Sequence, residues 1–150
     1  MSIPVALATP LAERTYISAL DLFRVGIGPS SSHTVGPLRA ARAFVDALAA
    51  DGTLARVDRI ECVLFGSLGS TGVGHGTPGA VLAGLAGHDV ETVTRDDVAR
   101  VTADADNGML TLRGEHRIRL ESAWLRFAPR ELKPRHPNAL TLTALDVDGE

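Results

Sequence analysis

The chain is 150 residues long, 45% apolar and 22% charged, the size and composition of one ordinary soluble globular domain. Its net charge of −3, pI near 5.9 and single lysine, Lys133, argue against nucleic acid and anionic membrane as partners, because both demand a basic face. No positive region precedes the apolar stretch Met1 to Leu11 and nothing reaches the ~20 apolar residues of a membrane span, so a cytoplasmic protein is expected. Cys62, the sole cysteine, lies in an apolar run and reads as a core thiol. Alone it can neither close an intrachain disulfide nor hold zinc or an iron–sulfur cluster, which need about four ligands.

In chain order, Ser18 and Asp21 predict the start of a short helix carrying Leu20, Leu22 and Phe23, broken at Gly26 and Gly28. A loop from Gly26 to Thr34 follows. Leu38, Ala41, Phe44, Val45 and Leu48 recur at three-to-four spacing, with Pro37 suited to a first turn and Gly52 just past the end, which predicts a helix over 35–50. Val57 to Phe65 reads as a strand with Ile60, Cys62 and Leu64 on one face and Glu61 on the other. Gly66 to Thr77 holds five glycines in twelve residues and is expected to be a second loop. Thr77 is placed to cap, and Pro78 to open, a short buried helix carrying Ala80, Val81, Leu82 and Leu85 and closed by Gly87. A further helix over 94–105 has Thr94 and Asp97 in capping-box positions and Val98 and Val101 facing inward. Strands are expected over 109–113 and 117–120 around a Gly114-Glu115 turn, over 123–127 and over 140–145, with Pro129 to Pro137 as a surface loop. Together these predict an α+β fold, a mixed β-sheet packed against helices, without internal repeats.

The two loops carry the chemistry. Gly26 to Thr34 sets two glycines, a proline, four hydroxyl side chains and one imidazole immediately ahead of a helix whose N–H groups would face an anion. Ser32 or Thr34 equally suits an ordinary helix cap. In the second loop Gly74, Gly76 and Gly79 spell G-x-G-x-x-G, but about eight residues separate Phe65 from Gly74 and Pro78 interrupts the motif, which disfavours a dinucleotide cradle. The glycines better suit close backbone approach to a small ligand, or positive φ. His33 and His75 each precede a helix start, and His136 precedes Pro137-Asn138 ahead of the last strand. Singly, each is an ordinary solvated loop histidine; together they define a candidate cleft. His88 and His116 are assigned to the surface.

At these residues the resemblance becomes specific. Ser18-Ala19-Leu20-Asp21-Leu22-Phe23 followed by Gly26 to Pro37 resembles the β-domain signature of iron–sulfur L-serine dehydratases. Gly66-Ser67-Leu68 with Thr71 to Thr77 is similar to that family's glycine–histidine loop, and His136-Pro137-Asn138-Ala139-Leu140 to its His-Pro-Asn segment. The likeness spans roughly residues 16 to 145; one departure is Val73, where many members carry lysine. It implies an N-terminal extension over 1–15 and a truncated β-domain over 16–150, similar in fold to the allosteric substrate-binding domain of some phosphoglycerate dehydrogenases. It also implies deamination of L-serine to pyruvate and ammonia, with a 4Fe-4S cluster in place of pyridoxal phosphate. The cluster's cysteines belong to a separate catalytic α-domain, so the implied partners are L-serine and an α-domain or α-subunit. A fragment of a longer chain is favoured over a small subunit, because the sequence ends in Asp146-Val147-Asp148-Gly149-Glu150 without an evident finish. Pairing of two chains through an unpaired edge strand is also expected.

Such a reaction needs a base for the Cα proton, and a neutral imidazole near pH 7 can serve. His75 is expected first in that role and His33 second. Ser30, Ser31, Ser32 and Thr34 would anchor carboxylate or ammonium, with Gly74 and Thr77 beside the substrate and His136 and Asn138 orienting it; no metal ligand is expected in this chain. Two alternatives stand beside this reading: a regulatory domain that binds serine without chemistry, and loops that are merely caps and turns.

Overall fold

Pro37, Leu38, Ala41 and Val45 lie buried along one face of helix α1, Val35–Ala50, as their spacing dictates. The structure, a computed structural model, describes residues 30–134 and 136–149, so the short helix expected at Ser18 to Phe23 lies outside the described residues. After one turn of 3₁₀-helix at Leu54–Arg56 the chain enters β1, Arg59–Phe65. This strand is the centre of a three-stranded mixed sheet, with β4 (Leu125–Ala128) parallel on one side and β5 (Leu140–Leu145) antiparallel on the other. Cys62 faces Leu125 in one ladder and Leu142 in the other. Ile60, Cys62 and Leu64 point into a core completed by Ala41 and Val45 of α1 and by Val81, Leu82 and Leu85 of α3, Thr77–Leu85. A hairpin of β2 (Met109–Leu112) and β3 (His116–Arg119) adds Leu110, Leu112 and Ile118. The expected α+β architecture, a mixed sheet against helices, is the one observed.

Helix α4, Arg95–Asp106, starts where its sequence marks it. The Asp97 N–H donates to Thr94 Oγ1 at 3.1 Å and the Thr94 N–H donates back to Asp97 Oδ2 at 3.0 Å, the reciprocal bonds of a capping box. The Thr94 hydroxyl, donating to Asp97 Oδ2 at 2.7 Å, with the Thr94 N–H and the Arg100 guanidinium, holds the Asp97 carboxyl down at about 2. Among the described residues, no helix is long and apolar enough to cross a membrane.

The main correction concerns Gly66 to Thr77, which is not a loop but helix α2, Gly66–His75, running directly into α3. Each glycine inside a helix costs about 0.5–1 kcal/mol relative to alanine, so local preference argues against this helix. Tertiary contact reverses the balance. A Cβ at Gly69 would lie 2.7 Å from the Leu64 carbonyl and 2.9 Å from the Pro129 nitrogen, so only a bare backbone can pack here. Gly76, at φ 77°, ends α2 in the left-handed conformation and turns the chain into α3. Three smaller corrections follow. Thr77 is the first residue of α3 rather than its cap, and the Thr34 hydroxyl donates to the Ser30 carbonyl at 2.8 Å instead of capping α1. His116 is half-buried, its Nε2 donating to the Val57 carbonyl at 2.7 Å, and is not a free surface residue.

Candidate active site

At the C-terminal end of β1 the serine-rich turn, helix α2 and the segment from Pro129 to Asn138 come together. Ser30 to Thr34 coils tightly, with the His33 and Thr34 N–H groups both donating to the Ser30 carbonyl at 3.1 and 3.0 Å. Two of the α1 N–H groups expected to meet an anion are engaged instead inside this turn: Gly36 donates to Ser31 O at 3.1 Å and Leu38 to Thr34 O at 3.0 Å.

The turn drives the His33 ring into the protein, only 8% exposed, where hydroxyls surround it. Ser32 Oγ lies 3.0 Å and Ser30 Oγ 3.2 Å from Nδ1; Thr71 Oγ1 lies 3.0 Å and Ser67 Oγ 3.3 Å from Nε2. The His33 carbonyl finds no amide donor four residues on, because that residue is Pro37. Thr77 supplies one instead, its fully buried hydroxyl donating at 2.7 Å. His33, Thr34 and Thr77 are the buried polar residues among those described, and all three belong to this one cluster. Buried polar groups are kept where partners satisfy them, and here the partners are uncharged.

His75 closes the cluster from the last turn of α2. Its ring centroid is 4.6 Å from that of His33, with the planes tilted by 34°. Nδ1 lies 2.9 Å from the Thr71 carbonyl. A carbonyl only accepts, so in the neutral ring this nitrogen carries the proton and Nε2 the lone pair. Ser67, Thr71 and His75 stand four residues apart on one face of α2, which is why all three meet His33.

The third expected imidazole stands apart. His136 is exposed, and its Nδ1 lies 2.9 Å from the Asn138 nitrogen and 3.1 Å from the Asn138 carbonyl, a donor and an acceptor that leave both tautomers open to the ring. Among the described residues no hydrogen bond or ring contact joins it to His33 or His75. The segment carrying it is nevertheless tied to α2. The Gly66 and Ser67 N–H groups donate to the Glu131 and Pro137 carbonyls at 3.1 and 3.3 Å, and the Lys133 ammonium lies 4.1 Å over the Phe65 ring. A cleft of about 350 Å³ runs between this segment and the serine turn, lined by Ser32, Pro37, Leu68 and Asn138 among others. Asn138 Oδ1 is buried without a hydrogen-bond partner.

Of the residues singled out in the sequence, Ser30, Ser32, His33 and His75 form one hydrogen-bonded and stacked group. Ser31 and Gly74 are exposed beside it. Thr34 and Thr77 lie beneath it with their hydroxyls engaged, holding the turn in place. Ser67 and Thr71 were not singled out. Reading their stretch as helix would have placed them with His75 by spacing alone.

A model of the serine dehydratase beta chain matches residues 18–150. The chain belongs to that family. This family member is 45% identical over 134 residues to L-serine dehydratase of Mycobacterium bovis, covering 89% of this chain and 29% of the relative. It is 46% identical over 137 residues to L-serine dehydratase of Streptomyces coelicolor, covering 89% of this chain and 30% of the relative. Against L-serine dehydratase 1 of Escherichia coli it is 40% identical over 135 residues, with 88% and 30% covered. The chain thus spans less than a third of the length of these curated relatives.

Proposed function

We propose that this chain is the β-domain part of an L-serine dehydratase and supplies the group that takes the Cα proton of L-serine. The reading is carried by one observation: His33 and His75, far apart in sequence, lie ring against ring at 4.6 Å in a site whose partners are all hydroxyls and carbonyls. His75 Nε2, unprotonated in the tautomer that the Thr71 carbonyl imposes, accepts the proton. His33, with hydroxyls at both nitrogens, packs against the His75 ring and exchanges donor and acceptor roles with those hydroxyls. His136 and Asn138 bind the polar substrate from across the cleft, and Ser32 holds it from the near side. Loss of the Cα proton and of the β-hydroxyl as water leaves aminoacrylate, which tautomerises to the imine and hydrolyses to pyruvate and ammonia.

The iron–sulfur cluster that the resemblance implies does not fit the residues of this chain. Cys62 is buried in the core and desolvation pushes its thiol up to about 12, so it is no cluster ligand. Among the described residues no group of three or more His, Cys, Asp or Glu side chains is placed to hold a metal ion. On this reading the cluster's ligands come from the α-part that the resemblance implies.

The test is His75→Ala in the complete enzyme. Turnover of L-serine is expected to fall ~10³-fold, the usual worth of a general base, with the cluster's visible absorbance unchanged. Normal maximal turnover with only the saturation curve displaced would instead make this a regulatory serine-binding domain.

A further inference from the structure

Thr71 touches both imidazoles with different atoms. Its carbonyl accepts the His75 Nδ1–H at 2.9 Å, and its hydroxyl sits 3.0 Å from His33 Nε2 and 2.9 Å from the Ser67 carbonyl. We propose that Thr71 is the positioning residue of the imidazole pair, fixing the tautomer of His75 and acting as the movable hydrogen-bond partner of His33; the kinetic part of this proposal rests on the proton-transfer reading above.

The two rings are held by chemically different partners. A backbone carbonyl has lone pairs and no hydrogen, so His75 has a single neutral form at this contact, with the proton on Nδ1 and the free lone pair on Nε2. Every group around the His33 nitrogens is a hydroxyl, and a hydroxyl both donates and accepts. The Thr71 hydroxyl has one hydrogen and two places to put it. When that hydrogen points to the Ser67 carbonyl, the oxygen accepts from His33 Nε2–H. When it turns to His33, Nε2 is the acceptor and the ring's proton sits on Nδ1, facing Ser30 and Ser32. His33 can therefore change tautomer, or hold an extra proton, without any side chain leaving its place. His75 cannot, since its partner is main chain. One residue of one helix turn thus makes a fixed base and an adaptable neighbour.

Thr71→Val removes the hydroxyl while keeping the branched shape and the carbonyl; Thr71→Ser restores the hydroxyl. Long-range ¹H–¹⁵N imidazole spectra of the full 150-residue chain read the tautomers directly. We expect an Nδ1–H pattern for His75 in all three proteins, and an altered His33 pattern in Thr71→Val that Thr71→Ser returns to that of the unsubstituted chain. In the complete enzyme, Thr71→Val is expected to lower kcat about tenfold, the loss of one hydrogen bond, with KM within about twofold, and Thr71→Ser to recover most of the rate. An Nε2–H pattern for His75, an unchanged His33 pattern in Thr71→Val, or equal loss in both variants overturns the proposal. Should the spectra behave as expected while His75→Ala retains full turnover, the positioning role stands and the assignment of His75 as base falls.

Discussion

At the hairpin end of the molecule Asp46 lies between Arg113 and Arg42, 2.8 and 2.9 Å from their guanidinium nitrogens, and both hold its carboxyl below the usual carboxylate range. At the opposite end, where the serine turn meets α2, no ion pair among the described residues includes a residue of 30–38 or 66–77. There the buried polar residues are His33, Thr34 and Thr77, joined by hydroxyls. The difference is one of commitment. A guanidinium and a carboxylate have fixed roles and hold one geometry; hydroxyls and imidazoles exchange roles without moving. The first end fastens α1 to the hairpin, while the second surrounds its imidazole with partners that can donate or accept.

Substitutions at the two ends separate these roles, and the largest effect is expected where backbone meets backbone. Gly69→Val sets a side chain against the Leu64 carbonyl and the Pro129 nitrogen, neither of which can yield, and is expected to cost ~3 kcal/mol or more in urea unfolding. A stability equal to that of the unsubstituted protein would show that α2 does not depend on this close approach. Thr77→Val keeps the shape but leaves the His33 carbonyl buried without its donor, for an expected loss of ~1–3 kcal/mol in the same measurement. Thr94→Ala, at the start of α4, is expected to cost about 1 kcal/mol through loss of the capping box. The same box gives acid sensitivity of known sign. Since the Asp97 carboxyl is held at about 2, below its ordinary 3.8, its stabilisation is present above that ordinary value and fades as pH falls toward 2. Unfolding midpoints of Asp97→Asn and the parent protein should therefore converge as the pH is lowered across that window. Asp46→Asn is expected to shift the midpoint least, because its partners are a third exposed and solvent screens the pair. A loss there exceeding that of Thr77→Val would invert the contrast between the ends.

The periodic elements were legible in the sequence for simple reasons. The stripe Leu38, Ala41, Val45 and the alternation Ile60, Cys62, Leu64 record burial directly, and Thr94 with Asp97 records a helix start. Helix α2 was hidden, because glycine speaks against a helix locally and the contact that reverses it, with Leu64 and Pro129, is long-range. With the helix went its face, so Ser67 and Thr71 stand in the sequence only as members of a motif, without the site role that His75 has. The pairing of His33 with His75 was expected from two loop-like segments that each precede a helix. His136 was expected with them, yet its hydrogen bond is to its own neighbour Asn138, and it shares the end of the molecule rather than the cluster.

The central claim, that the two adjoining imidazoles act as one catalytic unit, is tested most directly by a double-mutant cycle on L-serine turnover in the complete enzyme. His75→Ala is expected to lower kcat by ~10³ and His33→Ala by ~10–10², and the double variant is expected to be no slower than His75→Ala alone, because a unit already broken cannot be broken again. Losses that simply multiply in the double variant would show two independent residues and contradict the account.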